Sequence, residues 1–180
     1  LETSTLLLAA LDSSVSGIII TDNSLADNPI IYCNKSFQDM TGYSRNEIIG
    51  HNCRFLQGDD RMQLERQTLR EGIANGVDVN VEIRNYNKSG QLFWNELYVS
   101  PIKNETGAIT HFIGVQHDIT RRKDAEEDVK HERDMVERKV EARTKELNLA
   151  KEYSDSIIQT IRESLIVINE DLKVLTVNDQ

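Results

Sequence analysis

Proline and cysteine are both scarce in this 180-residue chain, at 2 residues each. So few prolines leave long stretches free to be helical, because an interior proline removes a backbone donor and clashes with the preceding turn. The two cysteines, Cys33 and Cys53, cannot build a disulfide framework, so a reducing, cytoplasmic setting is expected. Long apolar runs are missing too. Near the start the longest is Leu6–Leu11, far short of a membrane span and without the basic flank of a secretion signal. Basic residues number 21 against 30 acidic ones, for a net charge of −9. Nucleic acid is therefore not the expected partner, since binding phosphates calls for a concentrated basic surface. Histidines are scattered at 51, 111, 117 and 131 without clustered thiols or carboxylates, and no metal site is expected. Paired carboxylates and a phosphate-cradling glycine loop are also lacking, so the chain reads as a module without enzymatic activity of its own.

What is present reads first as a short amphipathic helix over 4–13, within an N-terminal segment 1–14. The β-branched run Ile18–Thr21 and the run Ile30–Asn34 predict two strands, and the turn formers of Asp22–Pro29 make them a hairpin with a long loop. From Lys35 to Ala74 the pattern is helical, broken at Gly42, Gly50 and Gly58. Ser44-Arg45-Asn46-Glu47 fits a capping box. A longer helix is predicted over Asp60–Ala74, with Met62, Leu64, Leu69 and Ile73 among its apolar positions and Asn75-Gly76 as its end. Val77–Ile83 alternates apolar and polar residues, the mark of a strand with one wet face. Turns at Asn87–Gly90 and Asn104–Gly107 lead into two more strands, Leu92–Val99 and Ile109–Gln116. Together these predict an α+β domain over 15–120, a five-stranded antiparallel sheet with helices on one face.

Beyond Thr120 the chemistry changes. Residues 121–152 are mostly charged and contain no glycine or proline, which predicts a long helix extending through a linker 121–160. Val140, Leu147 and Ile161 recur at seven-residue spacing with Ser154 interrupting, and Val129, Val136, Ala150 and Ile157 accompany them with Arg143 interrupting. A seven-residue repeat implies a two-helix coiled coil, hence a homodimer through 125–161. A single solvated helix laced with ion pairs is the alternative. The last segment, 161–180, echoes the first: Glu163–Asn169 parallels Ser16–Asp22, and Val174–Asn178 parallels Ile30–Asn34. It reads as the truncated start of a second domain of the same kind, and the chain as the input end of a longer protein.

The most informative stretch is Gly50-His51-Asn52-Cys53-Arg54-Phe55-Leu56-Gln57. It sets a lone thiol among two amides and a guanidinium, groups that suit a planar heterocycle carrying a phosphate. Alone, Cys53 reads as a buried structural thiol. The octapeptide resembles the signature of LOV domains, the blue-light-sensing, flavin-binding branch of the PAS family, and the resemblance spans roughly 15–120. Arg54 and Arg70 match the two arginines that hold the phosphate of flavin mononucleotide (FMN), a role suited to bidentate, permanently charged guanidinium. Asn85 and Asn95 match the pair facing the pyrimidine edge of the ring, which an amide can serve as both donor and acceptor. Gln116 matches the glutamine near the reactive flavin nitrogen, and Asn52 and Gln57 match further ring and ribityl contacts.

The resemblance also implies that Ile19, Leu56, Leu97 and Phe112 sandwich the ring, and that His51 is exposed and no catalytic base. The short Gln57–Asp60 connection favours FMN over FAD. The family's activity implies FMN bound noncovalently in the dark, with Cys53 forming a reversible bond to ring carbon C4a under blue light. Gln116 then passes the change to the long helix. Glu137–Leu147 resembles linkers ahead of kinase or cyclase output domains. A PAS redox or small-ligand sensor that dimerises without a photocycle is the alternative, and a flavin-dependent enzyme ranks last.

Overall fold

Strands leave a backbone donor and acceptor open at each residue until a neighbour pairs them, and here five do so in one sheet. The computed structural model describes residues 2–160, 166–171 and 173–177. It divides into two compact units, 1–125 and 126–180. In the first, β1 (Gly17–Asp22), β2 (Ile30–Cys33), β3 (Val79–Tyr86), β4 (Leu92–Lys103) and β5 (Ile109–Asp118) form an antiparallel sheet in the order β2-β1-β5-β4-β3. Helix α1 (Glu2–Asp12) precedes it, and α2 (Lys35–Thr41), α3 (Arg45–Ile48), a 3-10 turn (Cys53–Gln57) and α4 (Glu65–Asn75) connect β2 to β3. This is the α+β arrangement expected from the alternation of segments.

Strand periodicity decides which side chains face the site. On β3 the buried residues are Val79, Val81, Ile83 and Asn85, and on β4 they are Phe93, Asn95, Leu97 and Val99. On β5 they are Phe112, Gly114 and Gln116. Because side chains alternate across a pleated strand, the three amides share the inner face with aliphatic residues. Two apolar clusters form the core. One joins Ile19, Ile30, Cys33, Phe37, Ile48 and Leu56. The other joins Val79, Val81, Leu97, Val99 and Phe112 with Leu69 and Ile73 of α4.

Two details depart from the sequence reading. The helix predicted from Asp60 begins at Glu65, because the preceding residues are spent on β3. Gln63 is 7% exposed; its Oε1 accepts from Arg84 N at 2.7 Å and its Nε2 donates to Arg84 O at 3.0 Å. Asp60 receives both Nε (2.7 Å) and Nη2 (3.1 Å) of Arg84. The segment thereby satisfies part of an edge strand, where open backbone groups invite unwanted pairing. Met62 and Leu64, expected on an apolar helical face, stand 94% and 81% exposed. Secondly, β3 starts at Val79 and not Val77, while β4 and β5 run on to Lys103 and Asp118.

Helix α4 lies close to β3 at Gly72, where a β-carbon would come 1.9 Å from Val79 Cγ2. Beyond β5, α5 (Thr120–Thr160) is one continuous helix, followed by the hairpin β6 (Ile166–Ile168) and β7 (Val174–Val177). Val129, Val136, Val140, Leu147 and Ile157 are exposed along α5. Ile161 of the apolar stripe, and Glu163–Leu165 and Asn178 of the terminal repeat, lie outside the described residues.

Candidate functional site

A cavity of about 660 Å³ opens between the inner sheet face, the 3-10 turn and α4. Its floor is apolar, with Ile19, Ile83, Leu97, Val99 and Phe112 from the sheet and Leu69 and Ile73 from α4. Gly114 also lines it, and a β-carbon there would stand 3.0 Å from Ile19 Cγ1, so the glycine keeps the floor flat. Leu56, expected against the ring, is instead fully buried in the core cluster of Ile30 and Phe37. Its neighbours on the 3-10 turn, Cys53, Arg54 and Gln57, line the cavity, and Leu56 does not.

At one end a chain of amides reaches the thiol. Asn95 Nδ2 donates to Asn85 Oδ1 at 2.9 Å and to Gln116 Oε1 at 2.7 Å. Gln116 Nε2 in turn points at Cys53 Sγ, 3.8 Å away. Asn95 and Gln116 are each 1% exposed and Asn85 is 4% exposed. With both Asn95 hydrogens spent, its Oδ1 is buried without a partner, which is costly unless a ligand donates to it. Burial pushes the Cys53 thiol up to about 12 from an ordinary 9.0, with the Gln116 hydrogen bond opposing in part. At neutral pH the sulfur is therefore a protonated thiol and not a thiolate.

At the other end the cavity is lined by guanidiniums. Arg54 follows Cys53 on the 3-10 turn, and Arg66 and Arg70 stand one turn apart on α4. Arg66 Nε donates to Gln57 Oε1 at 2.6 Å, and its Nη1 reaches Arg61 O. The sequence reading missed Arg66, though its four-residue spacing from Arg70 was visible. Asn52 Oδ1 accepts from Arg54 N at 3.1 Å. Its Nδ2 donates to the backbone oxygens of Asp27 (2.6 Å) and Asn28 (3.4 Å), so its donors are spent on the β1–β2 loop. Thr21, Asn23, Asp27 and Asn28 of that segment also line the cavity and had no assigned role. Of the eight sequence-predicted residues, Asn52, Cys53, Arg54, Gln57, Arg70 and Asn85 line the cavity directly, and Asn95 and Gln116 are joined to it through Asn85 and Cys53.

A flat apolar slot with amides and a thiol at one end and arginines at the other fits a flavin ending in a phosphate. The orphaned Asn95 oxygen matches a ring N–H, and Gly114 adds no side chain to the floor beside Ile19 and Leu97. The model of the PAS domain family matches residues 15–121. The light-state LOV domain of the blue-light photoreceptor Aureochrome1 is 37% identical with a TM-score of 0.58, covering 66% of this chain and 90% of that one.

This chain belongs to the PAS family, in its LOV branch.

Other similarities surround that assignment. The bacterioopsin transcriptional activator of Halobacterium salinarum is 40% identical over 129 residues, 72% of this chain and 19% of that protein. A blue-light-activated histidine kinase of Brucella anthropi is 43% identical over 112 residues, 62% of this chain and 23% of the kinase. The LOV chain thus spans about a fifth of the length of these curated relatives. An RNA-binding LOV receptor is 38% identical with a TM-score of 0.67, covering 71% of this chain and 36% of that one. Among the described residues no helix is long and apolar enough to cross a membrane.

Proposed function

We propose that this LOV domain is a blue-light sensory module that binds FMN and works through a reversible bond at Cys53. The observation that carries the reading is the Cys53 thiol at 3.8 Å from the Gln116 amide, at the inner end of a flat, apolar cavity. Bound there, the flavin supplies blue-light absorption and an electrophilic ring carbon, C4a. Cys53 would hold its thiol against the ring, supplying the sulfur for a reversible bond to C4a and the proton for the adjacent N5. Gln116 carries both a donor and an acceptor, so it answers an acceptor turned donor by rotating its amide. Arg54, Arg66 and Arg70 bind the phosphate, which selects FMN.

The local change has a short way to travel. Gln116 lies two residues from Asp118, which accepts from Thr120 N at 2.9 Å. Asn95 adjoins Trp94, whose N–H donates to Thr120 Oγ1 at 2.9 Å and whose carbonyl accepts from Ile119 N at 2.9 Å. Both amides therefore bear on the start of α5, a local switch biasing a helix. The exposed heptad stripe of α5 supports homodimerisation through that helix. The likeness to blue-light-activated histidine kinases supports a kinase output, and the linker resemblance a kinase or cyclase, in a longer chain. The free Cys33 and Cys53 support a cytoplasmic setting.

The test is absorption. The purified protein is expected to carry a flavin band in the blue that bleaches on illumination and recovers in darkness, and Cys53→Ala to keep the band without the cycle. A Cys53→Ala protein that bleached to the same product would overturn the role given to Cys53. A colourless protein unable to take up FMN would point to a ligand or redox sensor instead.

A further inference from the structure

Asp27 stands at the phosphate end of the cavity, on the β1–β2 loop. Its Oδ1 accepts from Arg54 Nη1 at 2.7 Å, with the two side chains 58% and 59% exposed. The loop is built to hold it there. Asp27 and Asn28 are consecutive non-glycine residues in the left-handed region, at φ 69° and 47°, a conformation that needs support from its surroundings. Asn52 supplies that support by donating to both of their carbonyl oxygens. The loop is therefore latched to the two residues that flank Cys53, by backbone at Asn52 and by charge at Arg54. The same segment turns two buried, unpartnered acceptors, Thr21 Oγ1 and Asn28 Oδ1, into the cavity wall. Such orphans belong to a site completed by a ligand.

Three guanidiniums and one carboxylate line the cavity, a balance of two positive charges. A phosphate monoester near neutral pH carries nearly two negative ones. The three arginines are not equivalent. Arg66 is held by neutral oxygens, of Gln57 and Arg61, and the Arg70 side chain makes no hydrogen bond or ion pair among the described residues. Among the described residues Arg54 alone of the three forms an ion pair with a carboxylate, while Arg66 feels the Asp60 charge from farther off. An ion pair this exposed is weak, so a phosphate can share or take its guanidinium.

We propose that Asp27 is a specificity-determining residue for the phosphate end of the cofactor. It holds Arg54 until a phosphate displaces it, and its charge sets how strongly a phosphorylated flavin is preferred over one ending in a neutral hydroxyl. The proposal rests on the FMN reading and goes beyond it by assigning a counterweight to the arginines.

The experiment is a titration of the flavin-free full chain with FMN and with riboflavin, giving a Kd for each and their ratio. The wild type is expected to prefer FMN. Asp27→Asn is expected to raise that preference about threefold or more, by tightening FMN alone, since it removes a like charge beside the phosphate. Asparagine tolerates the left-handed region, and Asp27→Gly, unstrained there, provides a second neutral variant expected to give the same ratio. Asp27→Glu, which keeps the charge, is expected to keep the wild-type ratio. In an Arg54→Gln background the effect of Asp27→Asn should shrink. A wild type that binds both flavins equally overturns the phosphate reading itself. A wild type that prefers FMN, with neutral variants that leave the ratio unchanged or weaken both flavins alike, overturns the role of Asp27 only.

Discussion

As the proposed nucleophile, Cys53 combines two demands that pull against each other: it must be near its target, yet a thiol in an apolar cavity is slow to ionise. Its pKa near 12 lies above the ordinary 9.0, so burial favours the protonated form. A raised folded-state value means stability fully present below about pH 9 and lost as pH climbs towards 12. Alkylation of flavin-free protein, followed by peptide mass mapping, is expected to modify Cys53 far more slowly at pH 7 than an unstructured thiol. Rapid labelling at that pH would show an ionised sulfur. Arg66 carries a second prediction at this scale. Arg66→Gln is expected to weaken FMN by about tenfold, the loss of one charge-assisted contact, while riboflavin binding stays the same. The Cys53 motif was legible because its residue types are unusual together. Arg66 was not, because a helical arginine is ordinarily solvated and only the cavity shows which face it occupies.

The elements that frame the site carry their own predictions. Gly72→Ala puts a methyl group into Val79, and overpacking of this kind costs about 1–3 kcal/mol, read as a lower denaturant midpoint. Phe37→Ala empties a fully buried position between α2 and the sheet, at a cost of about 3–5 kcal/mol. The capping box is joined by a third partner: Glu47 accepts from Ser44 N and Oγ at 2.9 and 2.7 Å, and from Lys88 Nζ at 2.6 Å. Lys88 above all, with Ser44, holds the Glu47 carboxyl down at about 2 from an ordinary 4.5. The depressed value places its stabilisation above pH 4.5, lost as pH falls towards 2. Glu47→Gln should lower the thermal midpoint at pH 7 and flatten its decline across that acid window. Element type was readable from period and punctuation. The start of α4 was not, because Asp60 and Gln63 have helix-compatible sequence positions and were claimed by Arg84, far along the chain.

For the whole molecule the decisive element is α5, a helix of 41 residues whose apolar stripe is exposed. A helix so largely charged gains little from burying a stripe in its own domain and much from a second copy. Leu147→Glu is expected to weaken the proposed dimer by roughly a hundredfold, about 2.7 kcal/mol, and Arg143→Leu to strengthen it, both measured by sedimentation. A wild-type chain that stayed monomeric at high concentration in darkness and in light would remove the dimer from the scheme.

The sequence by itself determined the order of elements, their type and the identity of the candidate reactive groups, because hydrophobic period, turn residues and side-chain chemistry are local properties. Tertiary structure alone decided which groups meet. Asn85, Asn95 and Gln116 lie on three strands and form one chain to Cys53 only once β3, β4 and β5 pair in register. Asp27 and Arg54 become partners only when the β1–β2 loop folds over the 3-10 turn. Distances of this kind depend on packing between segments remote in sequence, and no local pattern encodes them.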